Sequence, residues 1–441
     1  MPVSDEALER VIADAQERPL PEVVAREVRL PELPGKAVAV LGMRRSGKTW
    51  RLFDEMNRLV RAGVPRSRLL YVNLEDDRLG PVDAGDLDRI LEIAARRDPR
   101  LRSERGWIFL DEIQAVPGWE RFARRVVDTE PARLFLTGSS ARMLSTEVAT
   151  AFRGRSTTVE VLPFGVREAA VASGLDVEGV PGAARRAELD AFILSYLRVG
   201  GFPALRGADP IDRVQALQEY VDLVVLRDVA ERHGAANLRV LRELVAALFS
   251  ANTKGFSVSR LHGTLVSQGW SVGKATLLAY VGHLVDAYLF FLVPLRTRSA
   301  RQRTSNPRKV YAIDPGLAAA MYRGGAVNRG AQLENAVYLE LRRRLGRLGD
   351  EAIGYVRTEG GHEVDFAVDD PVSGGPPALV QVCESLVSPE VRAREVRALT
   401  EAMAELGVQE ATIVTLTEAE KIETDRGTIQ VVPARTFFLT R

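Results

Sequence analysis

Gly42-Met43-Arg44-Arg45-Ser46-Gly47-Lys48-Thr49 satisfies the pattern G-x-x-x-x-G-K-[ST] at every defined position. The run Ala37-Val38-Ala39-Val40-Leu41 before it predicts a buried strand, and Trp50 to Arg61 after it predicts a helix. A chain of phosphates needs converging backbone N–H groups, a fixed cation and a helix N-terminus. A strand–loop–helix of this composition supplies all three. Gly42 and Gly47 permit close backbone approach, and Arg44, Arg45, Ser46 and Trp50 complete the stretch expected to wrap the phosphates. Lys48 is expected to reach the β- and γ-phosphates, and the Thr49 hydroxyl to ligate Mg²⁺. ATP with Mg²⁺ is the expected ligand.

A second segment adds chemistry to binding. Trp107-Ile108-Phe109-Leu110-Asp111-Glu112 is an apolar strand ending in two adjacent acids. Asp111 is placed to hold Mg²⁺ through its water shell, and Glu112 to polarise the attacking water as general base. Alone, such a pair would merely end a strand. Beside the Gly42 loop it favours hydrolysis, because a module that only binds needs no second carboxylate here.

The remaining sequence sets the frame. The chain has 441 residues, room for two to four domains at about 100–200 residues each. Lys and Arg number 60 against 59 Asp and Glu, a formal charge of +1, so only local patches bear on nucleic acid. The single cysteine, Cys383, excludes an internal disulfide and a multi-cysteine metal site. Met1 to Glu32 is charged and amphipathic without an apolar signal core, and no apolar run approaches the ~20 residues of a membrane span. A soluble cytoplasmic protein with no membrane partner is expected.

From residue 37 to about 162 apolar strands alternate with helices: Leu69 to Leu74, the Asp111 strand, Arg133 to Gly138 and Thr157 to Leu162, with helices such as Leu87 to Arg97 and Trp119 to Thr129 between them. That pattern predicts a parallel sheet with helices on both faces. One full strand–helix unit separates the phosphate loop from Asp111, which fits the phosphate-loop ATPases with an extra strand between the two motif strands. Thr137, Gly138, Ser139 and Ser140 fall at a strand's carboxyl end, where ligands of open α/β sheets bind. Ser139 is the candidate sensor of the γ-phosphate; Ser139 or Ser140 equally suits a helix N-cap, and both roles are compatible. Arg153-Gly154-Arg155 precedes the last strand. Arg155 is the candidate to stabilise transition-state charge, in its own chain or a neighbouring one, with a solvated loop as the plain alternative.

Residues 165 to about 250 turn helical: Glu188 to Val199 stops at Gly200-Gly201-Phe202-Pro203, and helices follow over Asp212 to His233 and Asn237 to Ser250. Next come two helices, Ser257 to Gln268 and Val272 to Ala287, then strands Leu289 to Pro294 and Lys309 to Asp314. The strands flank a loop carrying Arg296, Arg298, Arg301, Arg303, Arg308 and Lys309. Helix–turn–helix followed by a basic hairpin is the layout of a winged helix, whose arginines touch DNA phosphates. The alternative is a packing domain whose basic loop is only solvated or meets another protein.

Taken together, the phosphate loop, Leu110-Asp111-Glu112-Ile113-Gln114, Val116-Pro117-Gly118-Trp119-Glu120, Thr137-Gly138-Ser139-Ser140 and Gly154-Arg155 resemble the bacterial and archaeal AAA-type ATPases that carry a C-terminal domain of uncharacterised function. Gly200-Gly201-Phe202-Pro203, Leu226-Arg227-Asp228-Val229, Leu333-Glu334-Asn335 and Glu363-Val364-Asp365-Phe366 extend the resemblance to nearly the whole chain. The residue patterns give an α/β P-loop ATPase domain over 1–164, a helical region over 165–250 and a winged-helix-like domain over 251–325, and the resemblance implies a PD-(D/E)xK nuclease-like α/β domain over 326–441. It also implies an oligomer if Arg155 acts across an interface. That nuclease fold places an acid on a helix, an Asp on a strand and a Glu-x-Lys on the next strand. Glu334 and Asp365 fit the first two roles, but the third strand reads Gln381-Val382-Cys383. A neutral amide and a thiol cannot replace the carboxylate and the lysine, because a hard cation wants charged oxygen ligands.

The functional expectation is an ATPase that couples turnover to a conformational cycle on DNA. A nucleotide-switched regulatory protein gripping a protein partner is the alternative. An ATP-regulated nuclease is disfavoured by Gln381 and Cys383.

Overall fold

The computed structural model describes residues 3–138, 152, 154–235, 237–297, 299, 301–302, 306–322, 324 and 328–440. Contacts divide the chain into two units, Met1–Leu162 and Pro163–Arg441.

The first unit is built on a five-stranded sheet of β1 (Ala37–Leu41), β2 (Leu69–Asn73), β3 (Gly106–Asp111), β4 (Ala132–Gly138) and β5 (Ser156–Glu160), in the order β2-β3-β4-β1-β5. Every pairing is parallel. The predicted extra strand is β4, which lies between the loop strand β1 and the acid strand β3. The apolar central strands must be covered on both faces. Among the described residues four helices do this: α1 (Asp5–Glu17), α2 (Lys48–Arg61), α3 (Ala84–Arg97) and α4 (Trp119–Thr129). Leu52, Met56 and Leu59 of α2 pack on Val38 and Val40 of β1, Phe109 of β3 and Phe135 of β4, whose rings stack at 4.7 Å. Parallel register brings the carboxyl ends of β1, β3 and β4 to one edge, with Leu41 opposite Gly138 and Leu110 opposite Leu136. That edge carries the site.

In the second unit, helices Val166–Ala172, Ala183–Val199, Pro210–Leu223 and Leu238–Ser250 precede a three-stranded antiparallel sheet. The helix expected over Asp212 to His233 changes register at Val224, where a π-helical stretch runs to Glu231. The small sheet runs β6 (Gly255–Phe256), β8 (Arg308–Ala312), β7 (Phe290–Val293), with helices Val258–Ser267 and Lys274–Asp286 between β6 and β7. Helix Arg329–Leu345 leads to a six-stranded mixed sheet, β13-β14-β12-β11-β10-β9. Its strands are β9 (Ile353–Arg357), β10 (Glu363–Val368), β11 (Ala378–Val382), β12 (Glu410–Thr415), β13 (Glu420–Thr424) and β14 (Gly427–Pro433). Helix Pro389–Leu406 connects the parallel pair β11 and β12 and buries Leu399, Ala402 and Met403 against Ile413, Ile429 and Val431. Among the described residues no helix is long and apolar enough to cross a membrane.

The Gly200-Gly201 stop is also a joint. A Cβ on Gly201 would fall 2.0 Å from the Phe164 carbonyl oxygen, and the Gly201 N–H donates to Asp314 Oδ2 at 2.6 Å. Asp314 also accepts from the Leu317 N–H at 2.8 Å, capping helix Pro315–Met321. Burial pushes its carboxyl up to about 6 although these N–H groups oppose the shift.

Candidate active site

The phosphate loop leaves β1 at Leu41 and enters α2 at Lys48. Gly42 sits where nothing larger fits: a Cβ there would lie 2.2 Å from the Val161 carbonyl oxygen and 2.9 Å from Ser46 Oγ. Gly47 is the N-cap of α2 and makes no side-chain cap, so the N–H groups of the first turn, at Lys48, Thr49 and Trp50, are left for an anion. Arg45 holds a left-handed backbone, φ 64°. Ser46 Oγ is buried without a hydrogen-bond partner. Lys48 is buried and turns its ammonium onto the Met43 carbonyl at 3.2 Å. A glycine cradle, a buried cation, an orphaned hydroxyl and an open helix N-terminus together fit a nucleotide's phosphates. Trp50 differs from its neighbours: its side chain is half exposed and meets Phe53 edge-on at 6.1 Å.

Asp111 is the centre of the polar network. Its Oδ2 accepts from Thr49 Oγ1 at 2.8 Å and from the Tyr71 hydroxyl at 3.0 Å, and its Oδ1 accepts from the Thr137 hydroxyl. Burial pushes the Asp111 carboxyl above its ordinary range, Glu112 adds to the shift, and the three hydroxyls oppose it. A bound divalent cation would favour the ionised form instead, and Thr49 with Asp111 presents the hard oxygen donors that Mg²⁺ takes. Tyr71 stays a donor, because burial and Asp111 hold its hydroxyl far above the usual phenol range.

Glu112 is set by its backbone. It lies just past β3 in a left-handed conformation, φ 54°, and its N–H donates to Thr137 Oγ1 at 2.8 Å. Strained backbone of this kind concentrates at functional sites. One hydroxyl, fully buried on β4, therefore binds the Asp111 carboxylate and the Glu112 backbone N–H.

Two further sequence expectations meet the structure differently. Ser139 lies outside the described residues, as does Arg153. Arg155 is placed at the wrong edge for a role in its own chain. Its carbonyl accepts from the Ala37 N–H at 2.9 Å, so it flanks the amino end of β1, whereas the loop leaves the carboxyl end. Four steps along the five-residue strand separate the two ends by roughly 13 Å, and the guanidinium is paired with Asp128. The reading of Arg155 against its own chain's γ-phosphate is corrected accordingly.

Sequence reasoning missed Tyr71, Arg26 and the double role of Thr137. Tyr71 carried a signal, a polar tip inside an apolar strand. Arg26 carried none. In the segment before β1, its guanidinium donates to the Ser46 carbonyl at 3.2 Å and to the Leu162 carbonyl at 2.6 Å, tying the loop to the strand exit.

The basic hairpin is less basic than its sequence. Arg296 pairs with Asp369, and Lys309 is buried among acids, while Arg301 and Arg308 are exposed; Arg298 and Arg303 lie outside the described residues. The expected C-terminal acids do meet: Glu334 and Asp365 both contact Lys309. Burial and Asp365 push the Glu334 carboxyl up, against Lys309 and the Tyr311 hydroxyl. Gln381 stands opposite, accepting from the Asp365 N–H at 3.0 Å. Cys383 falls just beyond β11, buried, with its thiol on the Ser385 carbonyl at 3.3 Å.

A family model described as an AAA domain matches residues 34–170, and one described as a domain of unknown function (DUF8612) matches residues 192–328. An uncharacterised protein of Methanocaldococcus jannaschii is 31% identical over 426 residues, 95% of this chain and 92% of its own. A second uncharacterised protein, from Haemophilus influenzae, is 27% identical over 72% of this chain and 78% of its own. Among solved structures, a Walker-type ATPase of Pyrococcus abyssi aligns with TM-score 0.40 at 14% identity, covering 72% of this chain and 95% of that one. The chain belongs to the same family as that Methanocaldococcus jannaschii protein, and its first unit carries the AAA-type P-loop domain.

Proposed function

We propose that this protein binds ATP with Mg²⁺ and hydrolyses it, coupling turnover to a conformational cycle on DNA. The Asp111 centre carries the hydrolysis reading, because a single buried Thr137 hydroxyl holds the metal-side acid and the backbone of Glu112 together. Mg²⁺ would supply positive charge to offset the charge that develops on the phosphate oxygens. Thr49 and Asp111 would hold it. The backbone from Gly42 to Trp50 would wrap the phosphates, Lys48 would lie on the β- and γ-oxygens, and Glu112 would take the proton of the attacking water. Ser139 serves as γ-phosphate sensor, and Arg155 acts from a neighbouring copy. Glu112→Gln is expected to retain ATP binding and lose turnover at least about 100-fold, the scale of general-base catalysis. Equal turnover in the two proteins refutes the assignment.

DNA is the proposed partner because a helix pair is followed by an antiparallel hairpin with exposed Arg301 between its strands and exposed Arg308 on β8. The segments 165–250, 251–325 and 326–441 are assigned as helical, winged-helix-like and nuclease-like without nuclease activity, and the protein as cytoplasmic. Duplex affinity should fall steeply with salt. It should drop further in Arg301→Glu with Arg308→Glu; unchanged affinity in that variant ends the reading. One observation favours the second reading, a nucleotide-switched protein-binding ATPase. Leu278 on helix Lys274–Asp286 is 52% exposed, and Arg296 and Lys309 are spent inside the unit. ATPase stimulation by duplex DNA separates the two readings.

A further inference from the structure

Three carboxylates and one ammonium converge inside the second unit. Lys309 extends from β8 with its side chain 4% exposed, and its Nζ lies 2.8 Å from Asp365 Oδ1, 2.9 Å from Glu363 Oε1 and 3.1 Å from Glu334 Oε1. The acids arrive from two elements. Glu334 comes from helix Arg329–Leu345, and Glu363 and Asp365 stand two apart on β10, hence on one face.

Three contacts match the three donors of an ammonium. The surrounding shell is also satisfied. The Tyr311 hydroxyl donates to Glu334 Oε1 at 2.8 Å, and the Val382 N–H donates to Asp365 Oδ2 at 3.0 Å. The Gln381 amide donates to Glu395 Oε2 at 2.7 Å and accepts from the Asp365 N–H. Three acids this close repel one another unless a cation lies among them, and a lone ammonium so buried would be costly. Each half therefore requires the other.

We infer that Lys309 is the resident cation of a three-carboxylate pocket, seated where a hard divalent cation would otherwise bind, so that the pocket is complete without metal. The inference is independent of the ATPase reading. It assigns Glu334, Glu363 and Asp365 the work of holding β8 and its hairpin against the C-terminal sheet. It further predicts that the pocket becomes a divalent-metal site once the tethered charge is removed, since carboxylate oxygens suit Mn²⁺ and Mg²⁺.

The test uses the full-length, nucleotide-free protein carrying Asp111→Asn throughout, which removes the metal acid of the phosphate loop, and Mn²⁺ titrated by calorimetry. This parent should bind no Mn²⁺ tighter than about 1 mM. Adding Lys309→Ala should create one Mn²⁺ site per chain, at least about tenfold tighter, and adding Asp365→Asn should abolish it. The inference is overturned if the parent already binds one Mn²⁺ that Asp365→Asn removes, or if folded Lys309→Ala binds none. Should Lys309→Ala fail to fold, thermal stability replaces affinity. Lys309→Met combined with Asp365→Asn should then melt higher than Lys309→Met alone, because one unpaired buried charge has gone. No gain there overturns the inference equally.

Discussion

Thr137 shows how much chemistry one hydroxyl can organise. It donates to Asp111 and accepts from the Glu112 N–H, so the proposed metal acid and the proposed base are fixed by a side chain that is neither. Thr137→Val keeps the shape and removes both bonds, leaving a buried N–H unpaired at a cost of about 1–3 kcal/mol. It should also alter the pH dependence of binding. The Asp111 carboxyl is already raised by burial, and the lost hydrogen bond removes one of the influences holding it down. Mg²⁺-dependent ATP affinity should therefore fade, on acidification, at a higher pH in Thr137→Val than in wild type. Superimposable pH curves would sink this account of the residue. The sequence made Lys48, Thr49, Asp111 and Glu112 readable because their spacing is local. Arg26 was not, since its partner lies 136 residues away, and the polar tip of Tyr71 signalled a buried contact without naming Asp111, 40 residues on.

At the scale of elements, the glycine pair at the end of helix Ala183–Val199 is a packing requirement as well as a stop. Gly201→Ala pushes a methyl group into the Phe164 backbone and should cost about 3 kcal/mol or more, read from a denaturant midpoint. Gly263→Ala is the contrast: it has open space within helix Val258–Ser267 and should gain about 0.5–1 kcal/mol. Asp314, in the same joint, adds a pH signature. Its folded value, about 6, exceeds its ordinary 3.8, so the folded chain prefers the protonated acid. Its contribution is full below pH 3.8 and is lost as pH rises through 6, a slope that Asp314→Asn should flatten. The strands of the first unit were legible because buried parallel strands are written as short apolar runs; α4 was expected over Trp119–Thr129 and occupies those residues. The π-helical stretch at Val224 was not, since an i→i+5 register leaves no mark in hydrophobic spacing. Lys309 was read as part of a basic loop for a related reason: the acids that neutralise it follow 25 to 56 residues later.

For the whole molecule, the position of Arg155 decides whether one chain suffices. It flanks the amino end of β1, far from its own loop, so a catalytic role for it requires a second copy. Mixing Arg155→Ala with Glu112→Gln, each inactive alone, should restore part of the turnover, because one mixed interface joins an intact arginine to an intact base. No recovery at any ratio assigns Arg155 to its pair with Asp128 alone.

The lone cysteine gives the molecule a clock. Cys383 is the only thiol in 441 residues, it is buried beside the β11–β12 pair, and burial, with Glu395 adding to it, pushes its thiol up to about 12. An alkylating reagent needs the thiolate in contact with solvent, so labelling in the native state must wait for the C-terminal sheet to open locally. The rate of modification by a maleimide thus times that opening directly, without an introduced probe, and nucleotide or DNA can be added to ask whether either one slows it.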